Sequence, residues 1–165
     1  MQGSNNRFAG YAAMLQRRPD AWANIKGSAG YPDISGTVRF YQMRSGVLVA
    51  AEVSGLPAGT EPCGNRVFGF HIHSGEECAG DAADPFAAAL GHYDPDGCPH
   101  PEHAGDLPPL FSNHGYAFAV FLTDRFSVRD MVGRTVIIHS APDDFTSQPS
   151  GNAGAKIACG RIRTR

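Results

Sequence analysis

The feature that most constrains this chain is a series of short runs that alternate apolar and polar side chains or are rich in β-branched and aromatic residues. Side chains in a strand point alternately to opposite faces, so such runs suit half-buried strands rather than helices. Seven segments read this way, at 22–26, 36–42, 47–54, 67–73, 116–122, 135–139 and 156–162. In "GTVRFYQ", Val38 and Phe40 share one face while Arg39 and Tyr41 share the other. In "GYAFAVFL", Tyr116, Phe118 and Val120 share a face. Only residues 7–18 suggest helix, as one turn or two. The 20 glycines and 12 prolines supply the turns that many short strands need. "RSG" (44–46) reads as a hairpin turn, and "NHG" (113–115), with His114 inside it, as another. The pattern predicts an all-β domain, a β-sandwich or flattened barrel of seven or eight strands. Two stretches, 74–109 and 140–155, lack any periodicity. Loops that long are uncommon in a compact domain unless they carry function.

At 165 residues the chain suits one domain with a real core. Residues 1–20 read as an N-terminal extension and 21–165 as the domain. The net charge of −2, with no basic block, argues against nucleic acid as the main partner. The apolar runs fall far short of a membrane span, so no membrane partner is expected. The first residues lack the apolar core and cleavage site of a secretory signal, which favours the cytoplasm. The four cysteines are Cys63, Cys78, Cys98 and Cys159, and none forms a CxxC pair. Four cysteines allow three full pairings, and spacing does not choose among them.

Seven histidines carry most of the chemical signal. In "GFHIH" (69–73), His71 and His73 share a strand face, with Ile72 turned to the core. An HxH pair alone is a weak motif. The run "GHYDPDGCPHPEHAGD" (91–106) adds His92, His100, His103 and Asp106 within a Gly/Pro-rich loop. Three imidazoles and a carboxylate suit tetrahedral zinc. His139 ends the apolar run "TVIIH", where a strand would deliver it to a sheet edge. Imidazole suits copper as well as zinc, so there are nitrogens enough for two metals if one ligand is shared.

These segments, with "HAGDLP" (103–108), "GRTVIIHSAPDD" (133–144) and "GNAGAKIACG" (151–160), resemble the Cu/Zn superoxide dismutases and follow the family's order. The resemblance covers about residues 22–163. It implies a Greek-key β-sandwich of antiparallel strands with two long functional loops. It implies dismutation of superoxide anion to dioxygen and hydrogen peroxide by a redox-cycling copper bridged through His92 to a structural zinc. Position by position, it assigns copper to His71, His73, His92 and His139, and zinc to His92, His100, His103 and Asp106. It makes Asp143 the carboxylate that links histidines of the two sites, and Cys78–Cys159 the intrasubunit disulfide. Gly91 and Gly105 flank ligands and read equally as ordinary turn glycines. The family contains dimers and monomers; a homodimer is one expectation, and no residue pattern here decides it.

Three positions depart from the family. The substrate-guiding arginine beside copper is Lys156 here, which keeps the charge and loses the planar fork. His100 and His103 lie only three apart, so the loop must turn tightly at Pro101, helped by Pro99. The 140–155 loop is short and poor in charge, leaving guidance of the anion to Lys156, with Arg66 or Arg161 as candidate helpers. Cys63 and Cys98 match no family role and read either as a second bridge or as two free thiols. The competing reading is a copper- and zinc-binding β-sandwich with little or no dismutase activity. The intact copper set counts against it; Lys156 and the altered zinc loop count for it.

Overall fold

The computed structural model describes residues 7–59 and 63–165; residues 1–6 of the expected extension lie outside the described residues. The strands curl into one antiparallel sheet over an apolar filling. Along the chain come α1 (Arg7–Leu15), β1 (Ala21–Gly27), β2 (Ser35–Met43), β3 (Gly46–Ser54), β4 (Val67–Phe68) and β5 (Phe70–His73). They are followed by β6 (Leu110–Phe111), β7 (Ala117–Thr123), α2 (Val128–Met131), β8 (Thr135–His139) and β9 (Lys156–Arg163). Seven strands form one sheet in the order β5-β8-β9-β1-β2-β3-β7, and β4 and β6 form a small second sheet. Because β4 runs on into β5 and β6 lies beside β7, the small sheet spans the space between the two edges of the large one. The result is the flattened all-β barrel that the strand pattern predicts.

The β2–β3 hairpin turns at Arg44–Ser45, pairing Met43 with Gly46, whose φ of 129° suits only glycine. "NHG" is also a turn: Asn113 and Tyr116 pair across it, and His114 takes a positive φ of 50°. Phe40, Phe68, Phe70, Ile72, Leu110 and Ile138 are fully buried in the main core. On the opposite face of the sheet, Tyr11, Met14 and Leu15 of α1 pack on Tyr41, Leu48 and Ala50. The helix runs nine residues, longer than the turn or two expected, and fastens part of the 1–20 segment to the domain.

Two expectations need correction. Residues 67–73 are not one strand. At Gly69 the chain changes partners, donating from its N–H to Ala141 O and accepting from His139 N–H, both at 2.8 Å. Before Gly69 it pairs with β6, and after it with β8. Nor does His139 reach a sheet edge. It ends β8, an inner strand, at a register shift between Ile138 and His139. Such a bulge re-aims a side chain at a rim.

Candidate metal centre

Strand β5 is an edge of the main sheet, and the 74–109 loop covers that edge. Ile72 accepts from Tyr93 N–H and donates to Gly105 O, both at 2.8 Å, and Gly105 donates to Tyr93 O at 2.8 Å. These straps place His92 beside His73 and Asp106 beside His71. A side chain at Gly105 would run into the carbonyl of Ile72, so the close approach requires glycine. Gly91 meets no such neighbour and is an ordinary turn residue.

Six of the seven histidines converge in this region. His71, His73, His92 and His139 form one group, and His92, His100, His103 and Asp106 a second, with the candidate ligand atoms of each group within 4.8 Å of one another. His92 belongs to both. The outward nitrogens are fixed by the protein. His73 Nδ1 lies 2.7 Å from Leu90 O, and His139 Nδ1 lies 3.1 Å from Gly154 O. Asp143 spans the two groups, with Oδ2 2.7 Å from His71 Nε2 and Oδ1 2.9 Å from His100 Nε2. Such partners fix tautomer and ring orientation.

The inward nitrogens are left over. His71 Nδ1, His92 Nε2, His100 Nδ1 and His103 Nδ1 are buried without a hydrogen-bond partner. His100 Nδ1 and His103 Nδ1 lie 3.0 and 3.2 Å from Asp106 Oδ2, yet neither is aligned as a hydrogen bond to it. His73 Nε2 and His139 Nε2 face each other at 3.3 Å. Buried polar atoms normally find partners. Unpartnered ring nitrogens gathered with the other candidate ligand atoms within 4.8 Å of one another in each group are what a cation in each group would satisfy.

The charge states suit that use. Burial pushes His73 well below the ordinary imidazole value, and repulsion from His139 and His92 adds to it. Burial, then repulsion from His71, holds His139 down to about 3. Both are neutral near pH 7, the form that binds metal. Burial would raise Asp143, but hydrogen bonds from His71, the Phe145 N–H and His100 outweigh it and hold the carboxyl well below the usual range. Burial opposes ionisation of Asp106 as well, and the hydrogen bond from His92 with nearby imidazole charge outweighs it.

A pocket of about 550 Å³ opens onto the first group, lined by His73, His92, His139 and Lys156 among others. Lys156 lines this pocket, but its charge is not free. Its Nζ sits 2.6 Å from Asp84 Oδ2 and donates to Phe86 O at 3.2 Å. Neither suggested helper lines this pocket. Arg161 pairs with Glu76 at 3.2 Å beside a different cavity, and Arg66 is exposed elsewhere. Cys78 and Cys159 are bridged, while Cys63 and Cys98 are free thiols.

Three residues of the site went unread in the sequence. Asp84 stands before a proline, a turn signal that says nothing about a lysine 72 positions later. Gln148 grips the backbone of His100 with its amide, accepting from N–H at 3.0 Å and donating to C=O at 2.7 Å. Arg125 reaches from the β7–α2 loop to the carbonyls of Pro101 (2.7 Å) and His103 (3.2 Å). With Glu102 N–H donating to Pro99 O at 2.8 Å, these contacts hold the tight turn that a three-residue ligand spacing needs.

Known proteins resemble this chain over most of its length. A family model described as copper/zinc superoxide dismutase (SODC) matches residues 34–162. "Superoxide dismutase [Cu-Zn] 2" of Aquifex aeolicus (strain VF5) is 35% identical over 146 residues, 79% of this chain and 80% of that protein. "Superoxide dismutase [Cu-Zn]" of Photobacterium leiognathi is 34% identical over 142 residues, 78% of each. Its namesake from Legionella pneumophila is 32% identical over 152 residues, 87% of each. With a match across most of its length and relatives of nearly equal extent, the chain belongs to the copper/zinc superoxide dismutase family.

Proposed function

We propose that this chain dismutates superoxide to dioxygen and hydrogen peroxide, with copper held by His71, His73, His92 and His139 and zinc held by His92, His100, His103 and Asp106. The observation that carries the reading is the placement of His92, whose side chain belongs to both groups, with Nε2 unpartnered and Nδ1 2.7 Å from Asp106. Copper bound in the first group would supply the one-electron redox chemistry, and zinc, being d¹⁰, would supply none. His92 Nε2 is the atom that alternately holds and gives up a proton. Peroxide takes up two protons for each pair of superoxide anions consumed; we assign one to His92 and one to water. Asp143, joined to His71 and His100, orients a ring in each group. Lys156 provides the cation of the pocket, where positive charge favours an anionic substrate.

Residues 21–165 act as the catalytic domain in this reading, with 1–20 as an extension. Among the described residues no helix is long and apolar enough to cross a membrane. The formed Cys78–Cys159 bridge supports work in an oxidising compartment over the cytoplasm.

One observation favours the rival reading of a metal-holding sandwich with little turnover: the charge of Lys156 is matched by Asp84. Comparison of the copper- and zinc-loaded protein with His71→Ala and His139→Ala separates the two. We expect copper-dependent dismutation in the parent chain and loss of at least ~100-fold in both variants, each still folded by circular dichroism. Variants that keep copper and full activity would contradict the ligand assignment. A parent chain that binds copper without turnover would support the rival.

A further inference from the structure

Besides the candidate ligands, the charged side chains lining the pocket are one cation, Lys156, and two carboxylates, Asp84 and Asp94. Asp84 is built into place. Its Oδ1 accepts from Phe86 N–H at 3.0 Å, and its backbone O accepts from Asp81 and Ala87 N–H at 3.0 and 3.2 Å. Its Oδ2 is thereby held 2.6 Å from Lys156 Nζ, which the Phe86 carbonyl grips from the same loop at 3.2 Å. The loop is anchored by the Cys78–Cys159 bridge and by Gly75 N–H donating to Ala89 O at 2.8 Å. The ammonium is mostly buried and the carboxylate half-exposed, so the more accessible charge of the pair is the negative one.

We propose that Asp84 is a positioning residue that sets the anion affinity and salt response of the pocket by fixing the Lys156 ammonium against the wall and cancelling its long-range pull. A lone charge attracts in proportion to 1/r, whereas a tight ion pair acts as a dipole whose pull falls off faster. With salt already screening beyond about 8 Å, the paired lysine attracts anions only once they are inside the pocket. The inference rests on the functional reading above for the identity of the substrate, but not for the charge arrangement.

The test uses copper- and zinc-loaded protein with Asp84→Asn and Asp84→Glu. Azide, a small anion that binds copper, is titrated optically, and the dismutation rate is followed against ionic strength. In Asp84→Asn we expect azide affinity to rise several-fold, up to about tenfold, and the rate to fall more steeply with added salt. Asp84→Glu, which restores the charge, should keep the parent azide affinity. Parent-like azide affinity and salt slope in Asp84→Asn would overturn the proposal, as would a Glu variant that shifts like Asn. The azide arm reads Asp84 even in a protein that does not turn over superoxide, so failure of the functional reading is seen separately. A protein that takes up no copper would overturn both.

Discussion

Asp143 shows how much one buried side chain can decide. It is 6% exposed, joins a ring from each histidine group, and also caps the Phe145 N–H at 2.7 Å. Asp143→Ala would leave two buried ring nitrogens without acceptors, at about 1–3 kcal/mol each. We expect zinc affinity to fall by roughly 10–100-fold, as measured by chelator competition. Acid should act on the same groups. His139 is held at about 3 when folded against 6.5 for the ordinary imidazole. Its neutral form therefore contributes fully above pH 6.5, and that contribution is lost as pH falls towards 3. Asp143, depressed in the fold, contributes above the ordinary carboxylate range and loses that contribution at still lower pH. Metal-free protein should thus destabilise steadily below pH 6.5, by about 1.4 kcal/mol per unit from His139 alone, which melting curves at several pH values would show. At this scale the sequence was informative for residue types with few uses: histidines at ligand spacings and an aspartate in a matching motif. It was silent on Asp84, Arg125 and Gln148, whose types occur everywhere and whose partners are distant in the chain.

Elements here matter as supports for loops. The turn that carries His100 and His103 is clamped by Gln148 from one long loop and by Arg125 from the β7–α2 loop. Arg125→Ala should weaken zinc binding by about tenfold while leaving copper affinity near the parent value, both read by metal competition. Gly151 supports the same site from beneath. Its φ is 66°, and a Cβ there would strike the Asp143 carboxylate and lie 2.7 Å from His100 Nε2. Gly151→Ala is expected to lower zinc affinity and melting temperature together, since the backbone strain and the steric conflict act on one hydrogen bond. Most strands were legible because alternation and β-branched content are local signals, and β8 begins and ends with the run TVIIH. The break at Gly69 was not, because it arises from a change of partner, and β6, at two residues, is too short to show a period. In β7 nearly every position is apolar, so the pattern could not tell which face is inward; Phe118, Val120 and Leu122 point out, and Ala117, Ala119 and Phe121 point in.

At the scale of the whole molecule, the barrel is a frame on which two aperiodic loops build one centre. The Cys78–Cys159 bridge, closing 81 residues of chain, ties the first loop to β9 and so holds Asp84 near Lys156. In the chain-entropy view such a closure stabilises by up to about 4.5 kcal/mol. Replacing both cysteines with serine should lower the melting temperature and raise azide affinity as the loop releases Lys156, measured by calorimetry and optical titration. The fold class was readable from composition and alternation, and the family from ordered motifs. The pairing of the pocket cation was readable from neither, since it depends on how a loop folds back in space. The most direct test of metal-dependent dismutation is the superoxide dismutation rate of protein loaded with copper and zinc against protein loaded with zinc alone, with bound metal counted in each. One copper and one zinc per chain and fast, copper-dependent dismutation are expected. A folded protein that holds both metals and leaves superoxide to decay at its spontaneous rate would contradict that expectation.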